Sequence, residues 1–316
     1  MLGLALFLCL AADKSVFTVA ADGSGDFKSV QWAVDAAPLS GATIFIRPGI
    51  YREKLLLTKG HLQLRGTGTD ASKVVLSYDD SAGTAGGTTK SASVTVSGDD
   101  FYAENLTVEN TFSRTRPLTH EGSQAVALKI SGDRSVLRNV RFLGYQDTLY
   151  ANGKPARQYF ADCYIEGNVD FIFGDARAFF ENCEIHSKAH STVMITAQSK
   201  LHAEEQSGYV FDHCRLTADP DAKDVYLGRP WRAYATVVFM NTEMGPWIAP
   251  EGWHEWEHDG KPSLLTVFYA EYKSSGPGAN PARKQLSDAE AKKFAVTAFF
   301  DGWNPAEVRP SGSGSK

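Results

Sequence analysis

A short pattern recurs through the middle of the chain and limits what it can become. A polar residue is followed by alternating side chains, every second one mostly apolar. It reads NLTV from Asn105, NVRF from Asn139, DCYI from Asp162, NCEI from Asn182 and HCRL from His213. Successive starts are offset by 34, 23, 20 and 31 residues. The short offsets match one turn of a parallel β-solenoid, with about three short strands per coil, and the longer ones are the same coil with a loop inserted. Each period-two strand turns one face inward and one outward. A single coil cannot cover its own apolar face, whereas coils stacked about 4.8 Å apart share a core. The predicted fold is all-β, a parallel β-helix. A β-sandwich is the rival, and it requires antiparallel hairpin signals that the repeat does not supply consistently.

The 316 residues suffice for a one-domain solenoid. A 43% apolar and 22% charged composition describes a folded chain. The net charge of -5 excludes the basic footprint of a nucleic-acid binder. Four cysteines exclude a disulfide-dense miniature scaffold. Helical periodicity is confined to the ends. In residues 27–37, Val30, Val34 and Ala37 share a face and Pro38 ends the run. A second helix is predicted over 287–300, with Ser287 as cap, Glu290 as its capping-box partner and Gly302 as the stop. These helices are expected to cap the solenoid, where unpaired strand edges invite aggregation.

Residues 1–12, MLGLALFLCLAA, are too few to span a bilayer and resemble the core of a secretory signal, although a basic start is missing. Residues 13–310 are read as one domain, and 311–316, SGSGSK, as a flexible tail resembling an expression remnant. The expectation is an exported, extracellular monomer with no membrane partner.

Cys163, Cys183 and Cys214 occupy the same place in three repeat units. Two outcomes are open: a bridge between Cys163 and Cys183, or an inward ladder of free thiols.

The most informative acids are Asp147 in GYQDTLY and Asp170 in GNVDFIFG, 23 residues apart. Asn139 and Asp162 mark equivalent repeat positions with the same separation. Asp147 and Asp170 are therefore expected on neighbouring coils at nearly equivalent points. Two such carboxylates repel if both ionise, which favours one shared proton and suits a nucleophile–acid pair. The bland alternative is a pair of turn carboxylates bonded to backbone N–H groups. Gln124 precedes Gln146 by 22 residues, so both amides can line the same face and donate to a developing oxyanion. In YLGRPWRAY, Arg229 can hold a carboxylate ionised through a two-point contact, or form a structural ion pair. Trp231 offers a stacking face for a sugar ring or simply packs in the core. Tyr150, Phe173, Trp253 and Trp256 are further aromatic candidates.

GSQAVALKISGD, NVRFLGYQDTLY, GNVDFIFGDARAFFENC and YLGRPW resemble the pectin methylesterases, or pectinesterases. DGSGDFKSVQWAVDAAP, IFIRPGIYREK and the GW of EGWHEW extend the resemblance from Asp22 to about Asn304. GSQAVAL and the 20-residue step between Cys163 and Cys183 look closer to microbial-type members. The resemblance implies a right-handed parallel β-helix that hydrolyses methyl esters of homogalacturonan, giving methanol and pectate, with no metal or organic cofactor. It also implies roles. Asp170 would be the nucleophile and Asp147 the general acid and then base. Gln146 and Gln124 would stabilise the oxyanion, and Arg229 would orient Asp170. Phe173 and Trp231, with Trp253 and Tyr150, would contact substrate.

The rival functions are a polygalacturonase-like hydrolase, which would also use paired Asp residues, a Ca-dependent lyase, and a non-catalytic carbohydrate-binding solenoid. No acidic calcium loop stands out. The histidines lack a zinc spacing: His254 and His258 are four apart, but not in HExxH order.

Overall fold

The computed structural model describes residues 14–115, 122–256 and 264–310. The proposed leader, the tail, His120 and His258 lie outside the described residues. The strands form a right-handed parallel β-helix. One sheet of 16 strands wraps two faces of the coil, and a second sheet of seven strands forms the remaining face. In the second sheet Leu55–Leu57, Val94–Val96, Leu128–Ile130, Leu149–Ala151, Ile172–Gly174, Val193–Gln198 and Val225–Gly228 follow one another in chain order. Every pairing between named strands is parallel, for example Leu128 with Leu149 and Leu149 with Ile172, which excludes the sandwich.

The register reproduces the sequence offsets. Val136 pairs with Tyr102, Ser135 with Gln158, Arg157 with Arg177 and Ala178 with Tyr209, which are steps of 34, 23, 20 and 31 residues. The polar residue heading each repeat marks a corner. Asn105, Asn139, Asp162, Asn182 and His213 all have φ between 48° and 56°. Asn, Asp and His enter this left-handed region far more readily than β-branched or bulky residues. Their side chains also join neighbouring coils: Asn139 Nδ2 donates to Asn105 Oδ1 at 2.8 Å, and Asn182 Nδ2 to Asp162 Oδ1. Asn241, with φ of 48°, continues the series in a unit whose sequence, NTEM, is too degraded to read as a repeat.

Inside, equivalent residues stack. Phe160, Phe180, Phe211 and Phe239 form an offset column with centroids 4.5 to 4.8 Å apart. A second column holds Cys163, Cys183 and Cys214, all buried and all free. Of the two open outcomes, the thiol ladder is the one present, and the Cys163–Cys183 bridge is not formed. Each thiol turns to a backbone carbonyl instead, Cys163 Sγ to Ala161 O at 3.3 Å and Cys183 Sγ to Phe160 O at 3.4 Å.

The first helix, Val30–Ala36, is capped by the Ser29 hydroxyl and buries Val30, Ala33 and Val34 against the first coil. The C-terminal segment differs from expectation. Ser287 and Glu290 do form the reciprocal capping box, but the helix stops at Ala291. Ala295 is extended, and a separate turn follows at Val296–Phe299. These turns do not close the end of the solenoid. Leu286, Ala291 and Phe300 cover the outward row of Tyr102, Val136, Tyr159, Phe179, Val210 and Val238. That row is apolar and needs a cover, so the segment lies along the sheet's outer face.

Phe180→Ala removes a ring stacked on both neighbours and should cost about 3–5 kcal/mol, read by urea denaturation. Alkylation of the unfolded protein without reductant should label Cys163, Cys183 and Cys214 fully; a mass increase seen only after reduction would contradict the ladder.

Candidate active site

The two informative acids are corner residues as well. Asp147 and Asp170 have φ of 64° and 51°, and each stands two residues before one of two equivalent strands. Leu149 pairs with Ile172 and Tyr150 with Phe173, while Asp147 N donates to Val169 O at 3.1 Å. The acids therefore sit one coil apart on the same edge. Phe171 and Ile172 turn into the core, and Phe173 turns outward. The apolar run beside Asp170 is thus the wall and floor of its site.

Arg229 arrives from two coils further on. Gly228 lets this happen: a Cβ there would lie 1.9 Å from Thr196 Oγ1. With no side chain in the way, Arg229 N donates to Thr196 O at 2.9 Å. Its guanidinium then makes a two-point contact, Nε to Asp170 Oδ1 at 2.9 Å and Nη2 to Oδ2 at 2.7 Å. Trp256 covers the other side, its ring centroid 4.3 Å from the guanidinium carbon.

The acids are only 8% and 7% exposed, and the guanidinium hydrogen-bonds Asp170 alone. Burial pushes Asp147 well above the ordinary carboxylate range, the Asp170 charge adds to this, and Arg229 opposes it. Burial also leaves Asp170 raised, but less than Asp147, because the Arg229 hydrogen bonds and charge oppose it, with a smaller pull from His254. The environments separate the two: Asp147 holds a proton in the range where Asp170 is ionised.

Asp147, Asp170, Gln124, Gln146, Arg229, Tyr150, Phe173 and Trp231 all line one cleft of about 530 Å³. Ser123 Oγ donates to Gln146 Oε1 at 3.3 Å, which leaves the NH₂ end of that amide as the group able to donate to a ligand. Tyr150 stacks on Phe173 at 4.3 Å, and Trp231 lies 6.0 Å beyond. Trp253 is a correction. Its backbone bridges to Gly228 and its ring turns inward to stack on Tyr269 at 4.0 Å, away from the cleft. Trp256, three residues on, takes the cleft position. Gly87, Thr88 and Thr89 complete the rim from the loop before Val94–Val96. They belong to the loop from Ser81 to Ser93, which the sequence marks as one able to shape access to the groove. Among the described residues, no three His, Cys, Asp or Glu side chains are grouped to hold a metal ion.

The Pectinesterase family profile matches residues 16–303. The chain belongs to the pectinesterase family. It is 40% identical over 93% of its length to probable pectinesterase/pectinesterase inhibitor 17 of Arabidopsis thaliana, spanning 59% of that protein. It is 39% identical to pectinesterase 31 of the same plant, covering 95% of each chain. Among solved structures, the pectin methylesterase from carrot superposes with a TM-score of 0.84 at 33% identity, covering 93% of this chain and 96% of that one. A pectin methylesterase in complex with a hexasaccharide gives 0.83 at 32% identity, with coverage of 93% and 98%. These sequence relatives are plant proteins, so whole-chain similarity does not favour the microbial-type members to which two short stretches pointed.

The raised Asp147 carries a stability consequence. The folded state keeps a proton that the unfolded chain releases above about pH 4. The contribution of Asp147 to stability is therefore fully present below that point and is lost as pH rises through the folded value. Asp147→Asn should remove this loss and raise the urea midpoint at neutral pH, while leaving it nearly unchanged in acid.

Proposed function

We propose that this chain is a pectin methylesterase that hydrolyses the C6 methyl esters of homogalacturonan to pectate and methanol. The observation that carries the reading is the coil-spaced acid pair with Arg229 on one member only.

Each role follows from that asymmetry. Ionised Asp170, aimed by Arg229 and walled by Phe171 and Phe173, attacks the ester carbonyl. A carboxylate is a weak nucleophile in water, and a dry, oriented one is better. The carbonyl electrons move to oxygen, where the amide N–H groups of Gln146 and Gln124 receive the charge. Methoxide is a poor leaving group, so the proton on Asp147 transfers to it as the C–O bond breaks. Methanol leaves, and the acyl group stays on Asp170 as a mixed anhydride. Asp147, now anionic, takes a proton from water, and the hydroxide equivalent attacks the acyl carbon. Asp170 is released as a carboxylate, Asp147 is again protonated, and the product is a galacturonate acid. The stack of Tyr150 and Phe173, with Trp231 beyond, provides ring faces for the sugar units. A cell-wall polymer as substrate also supports the reading of residues 1–12 as an export signal.

Methanol and new reducing ends, measured together on highly methylated pectin, decide the reaction. Methanol alone is expected; reducing ends would identify a glycosidase, and neither product would leave only a binding solenoid. Asp170→Ala should abolish methanol release without unfolding the protein, and Gln146→Ala should lower kcat about 100-fold. Arg229→Gln removes the charge that holds Asp170 down, so the acidic limb of kcat/KM should move to higher pH.

A further inference from the structure

The acid pair and Gln124 are placed by different means. Asp147 and Asp170 are 23 residues apart, and so are the paired Leu149 and Ile172, so the strand ladder carries the acids with it. One coil earlier the steps disagree. Leu128 pairs with Leu149 across 21 residues, while Gln124 and Gln146 are 22 apart. The extra residue is taken up in a bulge, where Ala127 N and Leu128 N both donate to Thr148 O, at 2.9 and 3.3 Å. Upstream of it, among the described residues, one backbone bond to the next coil remains, from Ala125 N to Gln146 O at 3.2 Å.

Other segments pin Gln124 instead. The short turn Ala82–Ala85, capped by Ser81, presents two N–H groups to it: Ala82 N donates to Gln124 O at 2.8 Å and Gly83 N to Gly122 O at 2.9 Å. Val126 N donates to Ser91 Oγ at 3.1 Å. Asn110 ties these segments together. It ends the strand Tyr102–Asn110 and is 2% exposed. Its amide nitrogen donates to Asp80 O at 2.9 Å, Ser91 O at 3.2 Å and Val126 O at 2.9 Å, and its oxygen accepts from Phe112 N at 3.0 Å. One side chain therefore clamps both ends of the rim loop and the backbone two residues after Gln124. Asn110 itself does not line the cleft.

From this network we infer that Asn110 is a positioning residue for the oxyanion, acting through the Gln124 amide. The inference rests on the pectin methylesterase reading. A donor stabilises a developing oxyanion only if it already stands about 2.7–3.1 Å from where the charge appears. The ladder does not fix that position for Gln124, so the clamp does. Without Asn110 the carbonyls of Asp80 and Ser91 lose their shared donor, the loop loosens at both ends, and the Gln124 backbone moves with it. The loss falls on the transition state, where the oxygen carries charge, and so on kcat more than on KM.

The test uses Asn110→Ala, which removes every donor, and Asn110→Ser, a milder change that keeps one. Methanol release from highly methylated pectin is measured for each, alone and combined with Gln124→Ala, with urea midpoints in parallel. Asn110→Ala should lower kcat about tenfold and leave KM within about twofold, and Asn110→Ser should fall between it and the parent. Once Gln124→Ala is present, either Asn110 change should alter kcat by less than about twofold, because the group it positions is gone. Asn110→Ser decides the matter if Asn110→Ala does not fold. A lowered urea midpoint with parental kcat in folded Asn110→Ser would overturn the assignment and leave a purely structural clamp. Equal kcat losses with and without Gln124, or a parental kcat in Gln124→Ala itself, would overturn it as well. Absence of methanol with the parent enzyme would overturn the esterase reading instead.

Discussion

Parallel pairing of Leu149 with Ile172 and of Tyr150 with Phe173 sets the spacing on which the site depends. Because the strands are in register, corner residues repeat along one edge, and Asp147 and Asp170 become neighbours without any loop having to position them. The same pairing stacks Tyr150 on Phe173, so the aromatic wall of the cleft and the acid pair are products of one hydrogen-bond ladder. A single guanidinium then breaks the near-equivalence of the acids. Arg229 contacts both oxygens of Asp170 and acts on Asp147 only through its charge, so two residues of one type sit in different electrostatic environments.

The left-handed corner serves two ends in this molecule. Along one edge, Asn105 and Asn139 join coils through a neutral amide hydrogen bond. Along another, Asp147 and Asp170 occupy the same backbone conformation but carry acids that burial makes costly. The scaffold holds this strain because the columns beneath it are continuous: Phe160, Phe180, Phe211 and Phe239 pass under successive coils with little change in spacing. A rigid stack keeps the two carboxyl groups at a fixed distance, the kind of preorganisation that the proposed chemistry requires.

Much of this was legible before any coordinates. The polar heads of the repeat were visible because few residue types accept a left-handed corner, and the 23-residue spacing placed the acids because a coil has a nearly constant length. Legibility failed where the code is not periodic. Trp253 and Trp256 are both tryptophans of one short motif, and nothing in that motif says which ring turns inward; the bridge of Trp253 to Gly228 decides it. The segment 287–300 has helical composition throughout, yet it breaks at Ala295 to follow an apolar sheet face whose existence depends on all the coils.

The amino-acid sequence alone determined the coil length, the corner positions and the identity of the acids, since each follows from local backbone preference and a fixed strand period. Only the tertiary structure decided which acid keeps its proton, which tryptophan meets the cleft and whether the stacked thiols stay apart. Those outcomes depend on burial and on groups dozens of residues away, and neither is encoded within one repeat.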